Sequence, residues 1–391
     1  MATAPLMSAV ERLRERGQAP ATGPISVRNL IRQVQPDRRG SVRGLMSKVF
    51  ASTATFRPYA VILCRFKGDP PDPAREAPIE RFFQRLFTPG TGGVIEYWRS
   101  ASLGKVDVTG SRVFDWTEID IPRAKAGSDK DHGGIGREAL IDAAVNAVNR
   151  RGGEPLAGFF KPIAVFSYDW ADEAQQQGWI DGSADGQGRV SAPPHGHNGD
   201  FVAHEIGHGF GLDHDGGPQN QAYYDPCCVM SNNNRFQPDG WPVNFAPALC
   251  LPHLMQMGWM YPRRTYVDTG GWMDRPDGIS VPLGPINRPI ARGNLGITLA
   301  LRPRLDWDYY LEYVTPTGWN VGVNKPYLFI RRFGNVPGVG AATSQYLALI
   351  EIPDRPDVAA SVHESMGDTI FEARLTTLQP GPVIRVTATK G

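Results

Sequence analysis

The sequence predicts an α+β protein with two folded parts. A mixed helix-and-strand domain is expected over residues 57–265, and an antiparallel β domain, a sandwich or jelly roll, over 268–391. Three observations predict this. Amphipathic stretches of helical period alternate with short continuous apolar runs as far as Tyr261-Pro262. Beyond that point only short runs rich in β-formers recur, each bounded by turn residues. Gly (44) and Pro (34) make up about a fifth of the 391 residues, above ordinary usage of about 12 % but below the ~25–30 % of unperiodic disorder.

The elements follow in order. Tyr59–Phe66 is a continuous apolar run between Pro58 and Gly68-Asp69-Pro70, the pattern of a buried strand. Ile79–Phe87 sets Phe82, Phe83, Leu86 and Phe87 at helical spacing, and Val94–Ala101 reads as a second short helix. Lys105–Phe114 alternates as a strand does. Gly136–Asn149 is an amphipathic helix, and Pro162–Tyr168 another strand. Gly188–Ala192 reads as a cleft-edge strand free to pair with an extended peptide. Phe201–Gly209 reads as a helix ending at glycine, residues 215–243 as loop, and Phe245–Met257 as a helix despite Pro247 and Pro252. Tyr309–Val314, Tyr327–Phe333, Tyr346–Ile352 and Val383–Thr389 are the strands of the second domain. No repeat of fixed period occurs.

Charge narrows the function classes. Lys+Arg is 41 and Asp+Glu 40, a net charge of +1, which argues against nucleic-acid or membrane-surface binding. No apolar run approaches the ~18–20 residues that span a bilayer. Residues 1–50 are nevertheless basic, nine Lys/Arg against three acids, so residues 1–56 read as a solvated basic extension or a pro-segment covering a cleft. They lack the apolar core of a signal peptide, and no apolar stretch follows Arg38-Arg39. Among the four cysteines, Cys64 reads as a buried small hydrophobe, and Cys227 or Cys228 is placed to bridge to Cys250. Without a Cys-x-x-Cys, a thiolate zinc site is not expected.

Histidine carries the chemical signal. The chain has 8, and five of them (His195, His197, His204, His208 and His214) fall within 20 residues. Residues 204–214 read His-Glu-Ile-Gly-His-Gly-Phe-Gly-Leu-Asp-His, that is H-E-x-x-H-x-x-G-x-x-H, a match expected by chance about once in 10⁵ such chains. His204 and His208, four apart, project from one helix face and can reach one Zn²⁺. Glu205 lies beside the metal rather than on it, where it can take a proton from water. Gly211 permits a sharp turn that returns His214 as third ligand; Asp213 is a less well-spaced candidate. Three protein ligands leave an open position, the catalytic rather than the structural pattern. His195 and His197 lie on the preceding loop, as cleft or transition-state candidates.

The motif identifies the chain as a member of the metzincin metallopeptidases by resemblance. That resemblance implies a methionine turn beneath the zinc, matched by Met230 in Cys228-Val229-Met230-Ser231. In several metzincins a tyrosine two residues beyond this methionine assists catalysis. Here that position is Asn232, leaving Tyr223 and Tyr224 as the phenols on the intervening loop. Gly93–Trp116 is similar to a segment of secreted immune-inhibitor-A-type and gametolysin-type peptidases, with a helix, a Ser-x-Gly-Lys turn and a strand. Leu254–Trp259 resembles the Gly-Trp that ends their catalytic domain. Tyr309–Asn320 and Gly367-Asp368-Thr369 resemble parts of their C-terminal β region, so the likeness covers about 57–391.

The function expected is zinc-dependent endopeptidase, with metal-activated water, Glu205 as general base and a protein or peptide substrate. The alternatives are a non-peptidase zinc hydrolase, or a zinc-organised binding protein acting through its β domain. The second has no need of Glu205 or of an open metal position. The resemblance implies secretion, whereas the absence of a signal peptide leaves the cytoplasm open. Asp181-Gly-Ser-Ala-Asp185-Gly is a partial calcium loop lacking the closing glutamate, so Ca²⁺ is a subsidiary expectation.

Overall fold

The computed structural model describes residues 54–126, 135–152, 156–168, 183–184, 187–217, 223–231, 247–300, 307–334, 343–352, 364–366, 369–377 and 383–390. The basic segment 1–53 lies outside the described residues, as do Asn232 and most of the calcium-loop candidate.

The first part is built on a five-stranded sheet. Its strands are β2 (Tyr59–Arg65), β4 (Arg112–Glu118), β5 (Lys161–Phe166), β6 (Ser183–Ala184) and β7 (Val190–Ala192), in the order β4-β2-β5-β7-β6. All pair in parallel except β6, which runs antiparallel to β7. The apolar continuity of β2 follows from burial on both faces. Val61 and Leu63 point with Ile163 and Val165 into one cluster; Ile62 and Cys64 point with Ala164 and Phe166 into the other. Helix α3 (Arg137–Arg150) covers the second face with Leu140, Ile141, Ala144 and Val148. The first face is covered by α1 (Pro73–Leu86), α2 (Val94–Ala101) and α4 (Gly199–Phe210). Trp98 of α2 is fully buried and meets Phe210 edge-on at 4.9 Å.

Two sheets form the second part. One has six strands in the order β8-β14-β13-β12-β11-β9, the other four in the order β10-β17-β16-β15. Their ranges are β8 (Asp215–Gly216), β9 (Thr265–Asp268), β10 (Ile279–Pro282), β11 (Gly296–Ala300), β12 (Trp307–Val314), β13 (Tyr327–Gly334), β14 (Thr343–Glu351), β15 (Glu364–Met366), β16 (Thr369–Thr377) and β17 (Val383–Lys390). Ile297, Leu299, Leu311 and Ile330 from the larger sheet share a core with Val281, Ile384 and Val386 from the smaller. The outermost strand β8 belongs by sequence to the first part: Asp215 and Gly216 pair with Ser344 and Gln345 of β14. Helix α5 (Leu251–Gln256) reinforces the junction, with the Leu251 N–H donating to the Glu312 carboxylate at 2.6 Å. Arg331, fully buried, pairs with Glu312 at 2.6 Å and with Asp225.

Several expected elements are redrawn. Helix α1 begins earlier than Ile79, because Asp72 caps it and Pro73 fits the first turn, where no N–H is needed. The Lys105–Phe114 strand is broken by a turn in which the Ser111 N–H returns to the Val108 carbonyl and Gly110 takes φ +94°. Only Val106–Asp107 (β3) precedes the break, paired in parallel with the short strand β1 (Thr55–Phe56). The helix expected over 245–257 is confined to α5, entered through Pro252 in its first turn. The Gly188–Ala192 run is not a free edge: β6 pairs with Val190 and Ser191, and the His197 Nε2–H donates to the Ala192 carbonyl at 3.2 Å. All four cysteines are buried free thiols.

Trp98 joins α2, α4 and the Trp259 ring into one core. Trp98→Ala should therefore cost about 3–5 kcal/mol, seen as a lower urea midpoint in equilibrium unfolding. An unchanged midpoint would show that this contact does not hold α4 in place.

Candidate active site

The site is made by the end of one helix and the chain that turns back from it. Asn198 caps α4, its Oδ1 accepting from the Phe201 N–H at 2.7 Å. The helix ends at Gly211, whose φ of +94° is the left-handed cap that favours glycine. The Gly211 N–H returns to the His208 carbonyl and the Leu212 N–H to Gly207. This reversal carries His214 back against the histidine face of α4.

Three ring nitrogens converge there. His208 Nε2 lies 3.0 Å from His204 Nε2 and 2.9 Å from His214 Nε2. The tautomers follow from the opposite ring atoms. His204 Nδ1 faces the Val229 carbonyl at 2.8 Å, and His208 Nδ1 faces the Leu212 carbonyl at 2.7 Å. A carbonyl only accepts, so each Nδ1 carries the proton and each Nε2 presents a lone pair. Lone pairs brought this close repel unless a cation lies among them, so this donor set fits a metal that takes imidazole ligands, zinc foremost. Burial, followed by the charge of His208, pushes His204 down to about 3 and His214 down to about 4; burial also lowers His208. The rings are thus held neutral, the form that binds metal.

The surroundings hold this arrangement closely. Glu205 is buried beside His204 on α4. Met230 is fully buried beneath the helix turn between the two histidines, and a Cβ on Gly207 would collide with its sulfur. On the other side α4 closes on the sheet, where a Cβ on Gly209 would collide with the Tyr59 hydroxyl and one on Gly188 with Gly209. Glycine at these points is a requirement of close approach.

The remaining candidates separate. The Tyr223 ring lies 4.1 Å from that of His214, centroid to centroid, and is partly exposed, with φ +59°. Tyr224 packs instead against the backbone of Gly217. His197 stacks edge-on against Phe83 at 5.3 Å, on the core side of its loop rather than among the three histidines. The backbone of His195 lies in the short turn Pro194–Gly196, and its side chain lies outside the described residues. Asp213 is exposed and outside the histidine group. Asp215, Cys228, Cys250 and His253 form a second buried group that sequence reasoning missed. Its one local signal is Cys250-x-x-His253 at the start of a helix, three residues apart and so on one face.

The family model of metallo-peptidase family M12 matches residues 165–246, which contain His204, Glu205, His208, His214 and Met230. That match supports a metallopeptidase. No curated protein and no solved structure matches the chain.

The depressed histidines set a pH dependence for the metal-free protein. Once unfolded, these imidazoles take up protons from about pH 6.5 downward, whereas the folded chain resists until about 4 at His214 and about 3 at His204. The unfolded state binds more protons in that window, so stability should fall as pH drops from 6.5 toward 4. Denaturant melts of chelator-treated protein across this range check it; a flat profile would show that the rings are not held neutral. At Gly211 a Cβ meets no neighbour, so Gly211→Ala should cost about 1–2 kcal/mol from backbone strain alone. Unfolding of the metal-free variant at pH 7 measures it.

Proposed function

We propose that the chain is a zinc-dependent endopeptidase of metzincin type. The observation that carries this reading is the convergence of three neutral imidazole nitrogens at 2.9–3.0 Å with a buried glutamate in the same helix turn. His204, His208 and His214 hold the metal. Zinc bound to three imidazoles supplies a Lewis acid with an open coordination position and brings the pKa of water toward ~7.

The protein's residues do the rest. Glu205 accepts a proton from the attacking water and passes it to the departing amine. The Val229 and Leu212 carbonyls fix two imidazoles through Nδ1, which keeps Nε2 aimed at the metal. Met230 supports the turn from below, and Gly211 sets the path of His214. Tyr223, beside His214 and open to solvent, is placed to donate a hydrogen bond to the carbonyl oxygen of a bound peptide. Residues 57–265 are the catalytic domain and 268–391 a β-sandwich joined to it through β8. Residues 1–56 are a basic extension or pro-segment, and the resemblance to secreted peptidases supports action outside the cell.

Quenched-fluorescent peptides and casein test the reading. Zinc-loaded protein should cleave them, lose activity to a chelator and regain it with zinc. Glu205→Gln should lower turnover by at least ~10²-fold while the three-histidine metal remains bound. Full activity in Glu205→Gln would remove the base assignment; no cleavage of any peptide by metal-loaded protein lacking residues 1–55 would overturn the peptidase reading.

A further inference from the structure

A second group of ligating side chains lies beneath the three histidines. Asp215, Cys228, Cys250 and His253 are all buried, and one ligand atom from each lies within 4.8 Å of all the others. They come from separate places: strand β8, the turn before Met230, the cap of α5 and the first turn of α5. The Nε2 of His253 is 3.2 Å from Asp215 Oδ2, and the Cys250 sulfur is 3.7 and 3.8 Å from the two Asp215 oxygens. Donor atoms around a tetrahedral zinc, with bonds of about 2.0–2.3 Å, sit about 3.3–3.8 Å apart. The observed separations have this spacing.

Ring orientation points the same way. His253 Nδ1 donates to Gln256 Oε1 at 3.3 Å, which places a proton on Nδ1 and turns Nε2 toward Asp215. The imidazole nitrogen, the carboxylate and the two thiols thus face one point in a buried interior, where a cation balances the carboxylate's charge, the role that a proton on Nε2 fills without it.

We propose that Asp215, Cys228, Cys250 and His253 bind a second zinc ion, structural rather than catalytic. The four protein ligands fill a tetrahedral shell and leave no position for water, and two sulfurs with one imidazole favour zinc over harder cations. Binding displaces to solvent the two thiol protons and the His253 Nε2 proton that pairs the ring with Asp215. The position explains what the ion does. Asp215 follows His214 directly and pairs with Ser344 of β14; Cys228 lies two residues before Met230; Cys250 and His253 begin α5. One ion thus ties the third-histidine turn, the methionine turn and the C-terminal sheet together. Long sequence separations, not a Cys-x-x-Cys, supply the ligands.

The competing occupant of the same space is a Cys228–Cys250 disulfide, with Asp215 and His253 left as an ion pair. Elemental analysis of the full chain, purified without chelator or reductant, separates the two. Two zinc ions per chain are expected, falling to one in the double variant His204→Ala/His208→Ala. Replacing zinc by Co²⁺ should give a near-ultraviolet thiolate-to-cobalt band in both proteins, since the three-histidine site has no sulfur. All four cysteines should react with a thiol reagent after denaturation in chelator. A single zinc in the parent chain and none in the double variant would overturn the proposal, as would absence of the cobalt band or only two reactive thiols. Because the double variant keeps all four proposed ligands, the test does not depend on a Cys250→Ser chain folding.

Discussion

Three converging imidazole nitrogens, His208 Nε2 lying 3.0 and 2.9 Å from those of His204 and His214, are the constraint on which the rest of the molecule depends. Such an arrangement is unfavourable at a partly buried site until a cation occupies it. Every element around it works to keep it. The α4 spacing aligns His204 and His208, the left-handed Gly211 turns the chain, and two backbone carbonyls fix the ring tautomers. The resulting set is neutral, convergent and incomplete, which is what metal-assisted hydrolysis requires.

Rigidity at the site comes from contacts too close for a side chain. Gly207 stands against the Met230 sulfur, and Gly209 against Tyr59 and Gly188 of the sheet. The helix is therefore held between the parallel sheet and the methionine turn with little freedom to shift. The C-terminal sheets enter the same framework through β8, because the residue after the third histidine is also their outermost strand. The β region is accordingly part of the wall behind the active site, not an appendage joined by a linker.

Much of this was legible in the sequence where local physics decides. Val94–Ala101 reads as a helix and forms one over the same residues, since its apolar positions repeat at helical spacing. Tyr59–Phe66 reads as a buried strand and forms one over Tyr59–Arg65, both of whose faces are covered. The zinc motif was legible because its ligands lie within eleven residues and one helix periodicity relates two of them. What depended on distant partners was not. The short strand β6 covers the expected edge of β7, Asp215 joins a sheet formed 130 residues later, and Cys228 meets Cys250 and His253 only through the fold. Of the residues grouped by proximity in sequence, His197 turns to the aromatic core at Phe83, and only Tyr223 of the two tyrosines reaches one of the three converging histidines.

The central claim is that His204, His208 and His214 hold one metal with a position left open. Anomalous diffraction at the zinc edge from crystals of the metal-loaded protein tests it most directly. A peak about 2.0–2.1 Å from all three Nε2 atoms, with the Glu205 carboxylate close by but not bound to it, is the predicted result. No peak among the three nitrogens, or a metal whose fourth position is closed by a protein side chain, would contradict the account.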